Sequence, residues 1–323
     1  MIVVCGIRAD AMIELMCARL EDLGYEYVFF DQAQVPDRYG VSWSLGPDGV
    51  EGRFMTPGRI VDLQDLTGVY IRNAGYRGQV GEPVRDDPAK SGKALFEAAY
   101  QQAVGQLVDL LPCTVVNRAL ASASSDSKVY QASVAAAFGF GTPRTLVSTE
   151  PDAVREFYAA CSGRVIYKSL SSVRSIVHRL EPRDLGEWLE RVRNCPAQFQ
   201  EQITGVDVRV HTVGGEVFAI EALSDADDYR YARREGSPVR MRETAVPREI
   251  GDACVAMSRH LGLKVAGIDL RRTDDGYCFF EVNPSPGFLF YERATGQPIS
   301  RAVANLLRAP RHAGPPAPRE APA

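Results

Sequence analysis

Residues 267–288 read GIDLRRTDDGYCFFEVNPSPGF, and where the carboxylates fall within this stretch decides how the chain is read. Val265 to Leu270 and Tyr277 to Val282 are apolar or aromatic runs of strand length. The Thr273-Asp274-Asp275-Gly276 between them favours a turn, so the stretch reads as a β-hairpin. With the turn centred near Asp275, Asp269 stands across the ladder from Glu281, and the two-residue side-chain period sets Asn283 on the face of Glu281. Three oxygen donors then converge at one end of a sheet. Hard oxygen donors suit magnesium, which is held by one or two carboxylates together with substrate phosphates; a solvated face of ordinary polar residues is the alternative.

The rest of the chain sets the scale. Its 323 residues are enough for two or three packed lobes, and 45% hydrophobic with 24% charged residues is the composition of a soluble globular protein. Lys plus Arg total 37 against 41 Asp plus Glu, a formal charge of -4, which gives no support for a general nucleic-acid or anionic-membrane partner. The seven cysteines, Cys5, Cys17, Cys113, Cys161, Cys195, Cys254 and Cys278, contain no close pair and suggest neither a disulfide framework nor a zinc site. The opening MIVVCGIRAD is too short for a signal-peptide core, and no segment approaches the length of a membrane span. A cytoplasmic enzyme is expected.

IVVCGI, the helical AMIELMCARLEDLG and the strand YEYVFFD start a parallel α/β unit, joined by GVYIRN after a glycine-containing hairpin region. No glycine-rich nucleotide fingerprint follows the first strand. Leu95, Ala99, Ala103, Leu107 and Leu111 mark one face of a long helix from Pro88, buried in its lobe or paired with a second subunit. The strand TVVN follows, then Ser124-Ser125-Asp126-Ser127-Lys128 introduce a helix through Ala137 that any of these polar residues could cap, and a further helix is capped by Thr149. RVIYKSL, SIVHRL and AQFQEQI read as strands and PRDLGEWLERVRN as a helix. Gly214-Gly215 turns the hairpin VDVRVHTVGGEVFAIEAL. Residues 224–247 read as a charged, solvated loop, IGDACVAMSRHLGL and GQPISRAVANLL as helices, and 309–323 as a disordered Pro/Ala-rich tail.

Lys168 lies inside an apolar strand, where its ammonium must snorkel out or meet an anion. Glu201 ends a strand, and Asp207 and Arg209 lie two apart on one strand face. His211 continues that face, either reaching a pocket or serving as a hydrogen-bonded structural side chain.

In this order, Lys128, Lys168, Glu201, Asp207, Asp269 and the EVN at Glu281 to Asn283 resemble the ATP-grasp ligases, and within them the RimK-like branch, over residues 117–307. The resemblance implies an α/β fold of ATP-grasp type. Residues 1–117 would be a parallel α/β pre-ATP-grasp lobe, 118–200 a small central lobe, and 201–308 a mixed-sheet C-terminal lobe with the metal site. It implies ATP and Mg2+ as cofactors. Lys128 and Lys168 would contact the ATP phosphates; Glu201, Gln202 and Ile203 would read adenine; Asp207 would hold the ribose and Arg209 the phosphates. Asp269, Glu281 and Asn283 would bind magnesium. The stretch EVNPSPGF to YERATGQPISRAVANLL is also similar to ligases that modify ribosomally made peptides, including macrocyclising ones. The loop Ser169 to Ser175 departs from the family, in which glycines commonly cover the phosphates.

The implied chemistry is carboxylate activation as an acyl phosphate followed by amide or ester formation, on a peptide or amino-acid-like substrate. A peptide macrocyclase is the nearest alternative, then an ATP-grasp kinase, then a non-catalytic nucleotide-binding regulator. Arg72, at a strand end, and Arg230 are candidates for the substrate carboxylate, and Arg271, which shares the face of Asp269, is a third and joins Arg209 as a catalytic candidate. The resemblance leans to a homodimer.

Overall fold

The computed structural model describes residues 1–72, 88–170, 177–223 and 239–309. It begins with β1 (Ile2–Gly6), α1 (Ala11–Asp22) and β2 (Tyr27–Asp31), then a three-stranded antiparallel sheet of β3 (Gly40–Gly46), β4 (Gly49–Thr56) and β5 (Arg59–Asp62). Next come β6 (Gly68–Ile71), α2 (Pro88–Leu110) and β7 (Thr114–Val116). The parallel sheet has the order β2-β1-β6-β7. Every residue of β1 is buried, as a central parallel strand covered on both faces requires.

One of those faces corrects a sequence expectation. Of the expected stripe on α2, Leu107 and Leu111 are buried, but Leu95 is 72% exposed; Val104 and Val108 complete the buried side. Steps of four residues overshoot a 3.6-residue turn by about 40° each, so over four steps the stripe winds about 160° around the helix. Leu107→Ala is therefore expected to destabilise the protein by about 3 kcal/mol and Leu95→Ala by less than about 0.5 kcal/mol, measured by urea unfolding.

The chain continues with α3 (Ala119–Ser122), α4 (Lys128–Ala137), β8 (Thr145–Ser148), α5 (Pro151–Ala160), β9 (Val165–Ser169), β10 (His178–Arg179) and β11 (Ala197–Glu201). A second sheet has the order β10-β9-β11-β8 and is antiparallel. Ser127 caps α4 by accepting from the Tyr130 N–H at 3.2 Å. Before α5 the hydroxyl bond is made by Ser148, not Thr149: its Oγ accepts from Glu150 N at 2.8 Å, and Glu150 is the capping position. Residues 182–194 form two 3-10 turns, Pro182–Leu185 and Leu189–Asn194, in place of one α-helix, because Gly186 leaves helical geometry at ψ -135°.

Last come β12 (Val206–Val213), β13 (Glu216–Leu223), β14 (Arg240–Thr244), α6 (Arg248–His260), β15 (Val265–Thr273), β16 (Gly276–Asn283), α7 (Leu289–Thr295) and α8 (Ile299–Arg308). A five-stranded sheet of order β14-β13-β12-β15-β16 is antiparallel at each pairing, with an isolated parallel bridge between Gly141 and Cys278 at its outer edge. The Gly214-Gly215 turn forms as expected, with Gly214 at φ +60°. β14 was expected to be loop. It pairs because Glu221 of β13, only 3% exposed, accepts from Arg242 at 2.7 Å and from Arg272 at 2.5 Å, giving a charged segment a buried partner.

Residues 119–140 open the stretch expected to be the central lobe, yet they pack on the five-stranded sheet: Ala121, Val134, Ala135 and Phe140 share a core with Val208, Val210, Ile268, Phe279 and Met257 of α6. The opposite face is half covered by α7 and α8, whose Tyr291, Ile299 and Val303 pack on Val213, Phe218, Ile220 and Ala222, and also on Ile2, Val4 and α1. α8 thus ties the parallel sheet to the five-stranded one. No helix among the described residues is long and apolar enough to cross a membrane. The seven cysteines are free, and all but Cys195 are buried.

Candidate active site

The same second face carries the charges. The register sets Asp207, Arg209 and His211 of β12 opposite Arg271, Asp269 and Gly267 of β15, and Arg271, Asp269 and Gly267 opposite Cys278, Glu281 and Asn283 of β16. Side chains directly opposite on one sheet face are neighbours, so the expected residues fall into rows. Across the middle row, Arg209 Nη1 donates to Asp269 Oδ1 at 2.7 Å, and Lys128 Nζ, at the start of α4, lies 3.2 Å from Glu281 Oε2. Two adjacent carboxylates are flanked by two cations in the order Arg209, Asp269, Glu281, Lys128. The guanidinium of Arg209 occupies the space above Gly267, where a Cβ would stand 2.0 Å from Nη2. Only glycine permits that approach.

The hairpin reaches the expected pairing by a different route. Its turn residues are Asp274 and Asp275, with Thr273 paired to Gly276, and a regular ladder from there would set Phe280 opposite Asp269. A β-bulge between Asp269 and Leu270 adds one residue on β16 and brings Glu281 opposite Asp269 instead. Bulges beside functional sites re-aim side chains in this way. Without it, the two-residue period would turn Glu281 to the other face.

Arg271 is committed within the first row. It donates to Asp207 Oδ1 at 2.6 and 2.9 Å and to the Ile203 carbonyl at 2.7 Å, beneath the ring of Phe280. Its guanidinium thus ties Asp207 to the Ile203 carbonyl. Glu201, the last residue of β11, and Gln202 and Ile203 after it lie on a cleft of about 610 Å³ shared with Arg164, Thr273 and Cys278. Glu201 is held by Arg144 at 3.0 and 3.2 Å, and this hydrogen bonding, followed by the charge of Arg144, outweighs burial and lowers the carboxyl pKa. Burial pushes the Cys278 thiol up to about 11, so it is protonated at neutral pH.

Lys168 stands on the neighbouring sheet. Strand alternation sends Tyr167 to the side of Trp188 and Phe199, and Lys168 to the other side with its cross-strand partner Gln198. It is 8% exposed, with Nζ 3.4 Å from Gln200 Oε1. Arg72, at the end of β6, pairs with Asp10 at 3.1 Å and donates to Ser285 Oγ at 3.0 Å, while Ser285 N–H donates to Asn283 Oδ1 at 2.9 Å. The parallel sheet is thereby linked to the third oxygen donor. A cavity of about 280 Å³ opens there, lined by Tyr70, Arg72, Val108, Asn117, Ser285 and Phe288. Arg230 and residues 171–175 of the loop after Lys168 lie outside the described residues, as do 310–323.

His211 does not reach a pocket. It is fully buried against Tyr291, 5.0 Å between rings, and accepts from Arg209 Nε at 3.5 Å; its Nδ1 has no hydrogen-bond partner among the described residues. Burial and then the charge of Arg209 hold its pKa well below the ordinary value, so it packs as a neutral ring behind Arg209. Sequence reasoning missed Asn117, Gln131, Arg144 and Ser285. Of these, only Gln131 gives a local signal: it lies three residues after Lys128 on the same helix face.

A family model described as a RimK-like ATP-grasp domain matches residues 125–307. A ribosomal protein bS6--L-glutamate ligase of Salmonella paratyphi B is 30% identical over 225 residues, covering 67% of this chain and 74% of that one. A probable alpha-L-glutamate ligase of Aliivibrio salmonicida is 29% identical over 218 residues, 64% of this chain and 71% of the other. Among solved structures, ATP-grasp ligase PsnB complexed with a minimal precursor superposes with a TM-score of 0.77 at 26% identity, over 95% of this chain and 97% of that one. The macrocyclase MdnC of Microcystis aeruginosa, bound with precursor peptide MdnA, shares the fold with a TM-score of 0.78 at 23% identity, over 96% and 100% of the two chains.

Proposed function

The chain belongs to the RimK-like ATP-grasp family of ligases, and from that premise we propose that it uses ATP and magnesium to activate a carboxylate and join it to an amine on a peptide or amino-acid-like substrate. The row Arg209, Asp269, Glu281, Lys128 carries this reading. Asp269, Glu281 and Asn283 offer hard oxygen donors on one face, and their carboxylates are already balanced by cations suited to phosphate; this donor set fits magnesium. Bound there, magnesium would neutralise charge on the phosphate oxygens.

The remaining residues divide the work. Lys128, Lys168 and Arg209 hold the phosphates, Asp207 the ribose, and the Glu201 to Ile203 hinge the adenine. The parallel sheet of residues 1–117 serves as the substrate lobe, with Arg72 for the carboxylate, while 118–200 and 201–308 enclose the nucleotide. A substrate carboxylate oxygen attacks the γ-phosphorus as the bond to the β,γ-bridging oxygen breaks and ADP leaves. The amine nitrogen then attacks the acyl carbon and loses its proton as inorganic phosphate departs. Such chemistry needs positioning and charge neutralisation more than a protein nucleophile.

A second reading, a peptide macrocyclase, draws support from the likeness to precursor-bound PsnB, which extends over the parallel sheet as well as the family-matched region. Incubation with ATP, magnesium and pooled amino acids and short peptides, followed by mass spectrometry, tests both. ADP with a two-substrate product lighter by one water is expected; water loss from a single peptide would favour the macrocyclase. A product that retains phosphate would overturn the ligase reading.

A further inference from the structure

β16 is the outermost strand of its sheet, and it carries two of the three oxygen donors, Glu281 and Asn283. A strand without a second neighbour lacks half of the ladder that holds register, and the bulge removes part of the other half. A slip of one residue would send both donors to the wrong face. Among the described residues, what holds the outer side is not a strand. Phe279 N–H donates to the Gly141 carbonyl at 2.8 Å, and the Pro284 carbonyl accepts from Asn117 Nδ2 at 2.5 Å.

Between these two points stands Gln131. Its Nε2 donates to the Val282 carbonyl at 2.7 Å and its Oε1 accepts from the Val282 N–H at 3.1 Å. A side-chain amide thus reproduces the peptide group of a missing neighbouring strand, at the residue that separates Glu281 from Asn283. Gln131 is 1% exposed, so water does not compete for either bond. It sits one turn beyond Lys128, and α4 therefore presents to β16 both the ammonium that pairs with Glu281 and the amide that fixes the backbone beside it.

We propose that Gln131 is a positioning residue for the divalent cation: it locks the register of β16 after the bulge, so that Glu281 and Asn283 stay on the face of Asp269. This inference rests on the reading of those three residues as metal ligands. Gln131→Met keeps the length and packing of the side chain and removes both bonds. Gln131→Glu keeps an acceptor for the Val282 N–H and sets a carboxylate oxygen against the Val282 carbonyl.

The 323-residue chain and its variants are to be titrated with Mn2+ in the presence of ADP, with free Mn2+ read by electron paramagnetic resonance and each variant's melting temperature recorded. Wild type is expected to bind Mn2+, Glu281→Gln to lose that binding, and Gln131→Met to weaken it by about 10- to 100-fold, as loss of support behind metal ligands does. Gln131→Glu is expected to weaken it as well, and it decides the matter if Gln131→Met does not fold. Wild-type Mn2+ affinity in a folded Gln131 variant, with only its melting temperature lowered, would reduce Gln131 to a structural side chain and overturn the inference. If Glu281→Gln binds Mn2+ as wild type does, the metal-ligand reading itself fails and the inference with it.

Discussion

Glu281→Gln is expected to lower ligase turnover by about 100- to 1,000-fold while the protein melts close to wild type. Loss of one preorganised charge partner of a developing transition state costs about 3 to 4 kcal/mol of catalysis. The structural penalty is smaller. Glu281 pairs with Lys128 where both side chains are about a fifth exposed, a setting in which an ion pair contributes about 1 kcal/mol or less. Asp269→Asn should lose as much activity and, in addition, about 3 kcal/mol of stability, because Arg209, 5% exposed, would keep a buried charge without its carboxylate. Joint replacement, Arg209→Leu with Asp269→Leu, should recover stability relative to the single Asp269 variant and recover no activity. Lys168→Ala belongs with Glu281→Gln in the loss of turnover. Steady-state ADP release and urea unfolding on the same preparations separate the two effects. Turnover within tenfold of wild type in folded Glu281→Gln would remove that residue from the site.

The same residues show what the sequence could and could not say. The carboxylate at Asp269 and the pair Glu281 and Asn283 were legible because a turn-favouring tetrapeptide between two apolar runs restricts the register to a few choices. The bulge was not legible: nothing in Cys278-Phe279-Phe280 announces an extra residue, and the correct pairing emerged from a turn placed slightly too far along. The parallel sheet was readable from the alternation of strand and helix. Arg271 could be placed on its face but not given its partner, since Asp207 and Ile203 lie 64 and 68 residues away along the chain. β14 was read as loop because its charges suggest solvent until Glu221 is seen to receive them. A polar side chain that bonds distant backbone, such as Asn117, leaves no periodic trace, and the spacing of Gln131 from Lys128 gives its helix face but not its partner.

Asn117→Ala is expected to destabilise the protein by about 3 kcal/mol and to reduce activity at temperatures where the variant is fully folded. Asn117 follows β7 of the parallel sheet and is 7% exposed. Its Oδ1 accepts from the N–H groups of Lys264 and Val265 at 2.8 and 3.2 Å, and its Nδ2 donates to the carbonyls of Val265 and Pro284 at 2.6 and 2.5 Å. One amide therefore satisfies the backbone at the start of β15 and just past the end of β16, joining the parallel sheet to the hairpin that carries Asp269 and Glu281. Each buried group left without a partner costs about 1 to 3 kcal/mol, and water entering from the adjacent cavity offsets part of the total. Asn117→Asp should be no better, because its carboxylate would keep the two donors and repel the two carbonyls. Leu107→Ala is the control, since it weakens the core beneath α2 by a similar amount without touching the hairpin. If both variants lose equal stability and only Asn117→Ala loses turnover, the junction positions the site; if Asn117→Ala unfolds within about 1 kcal/mol of wild type, other contacts hold the parallel sheet to the hairpin.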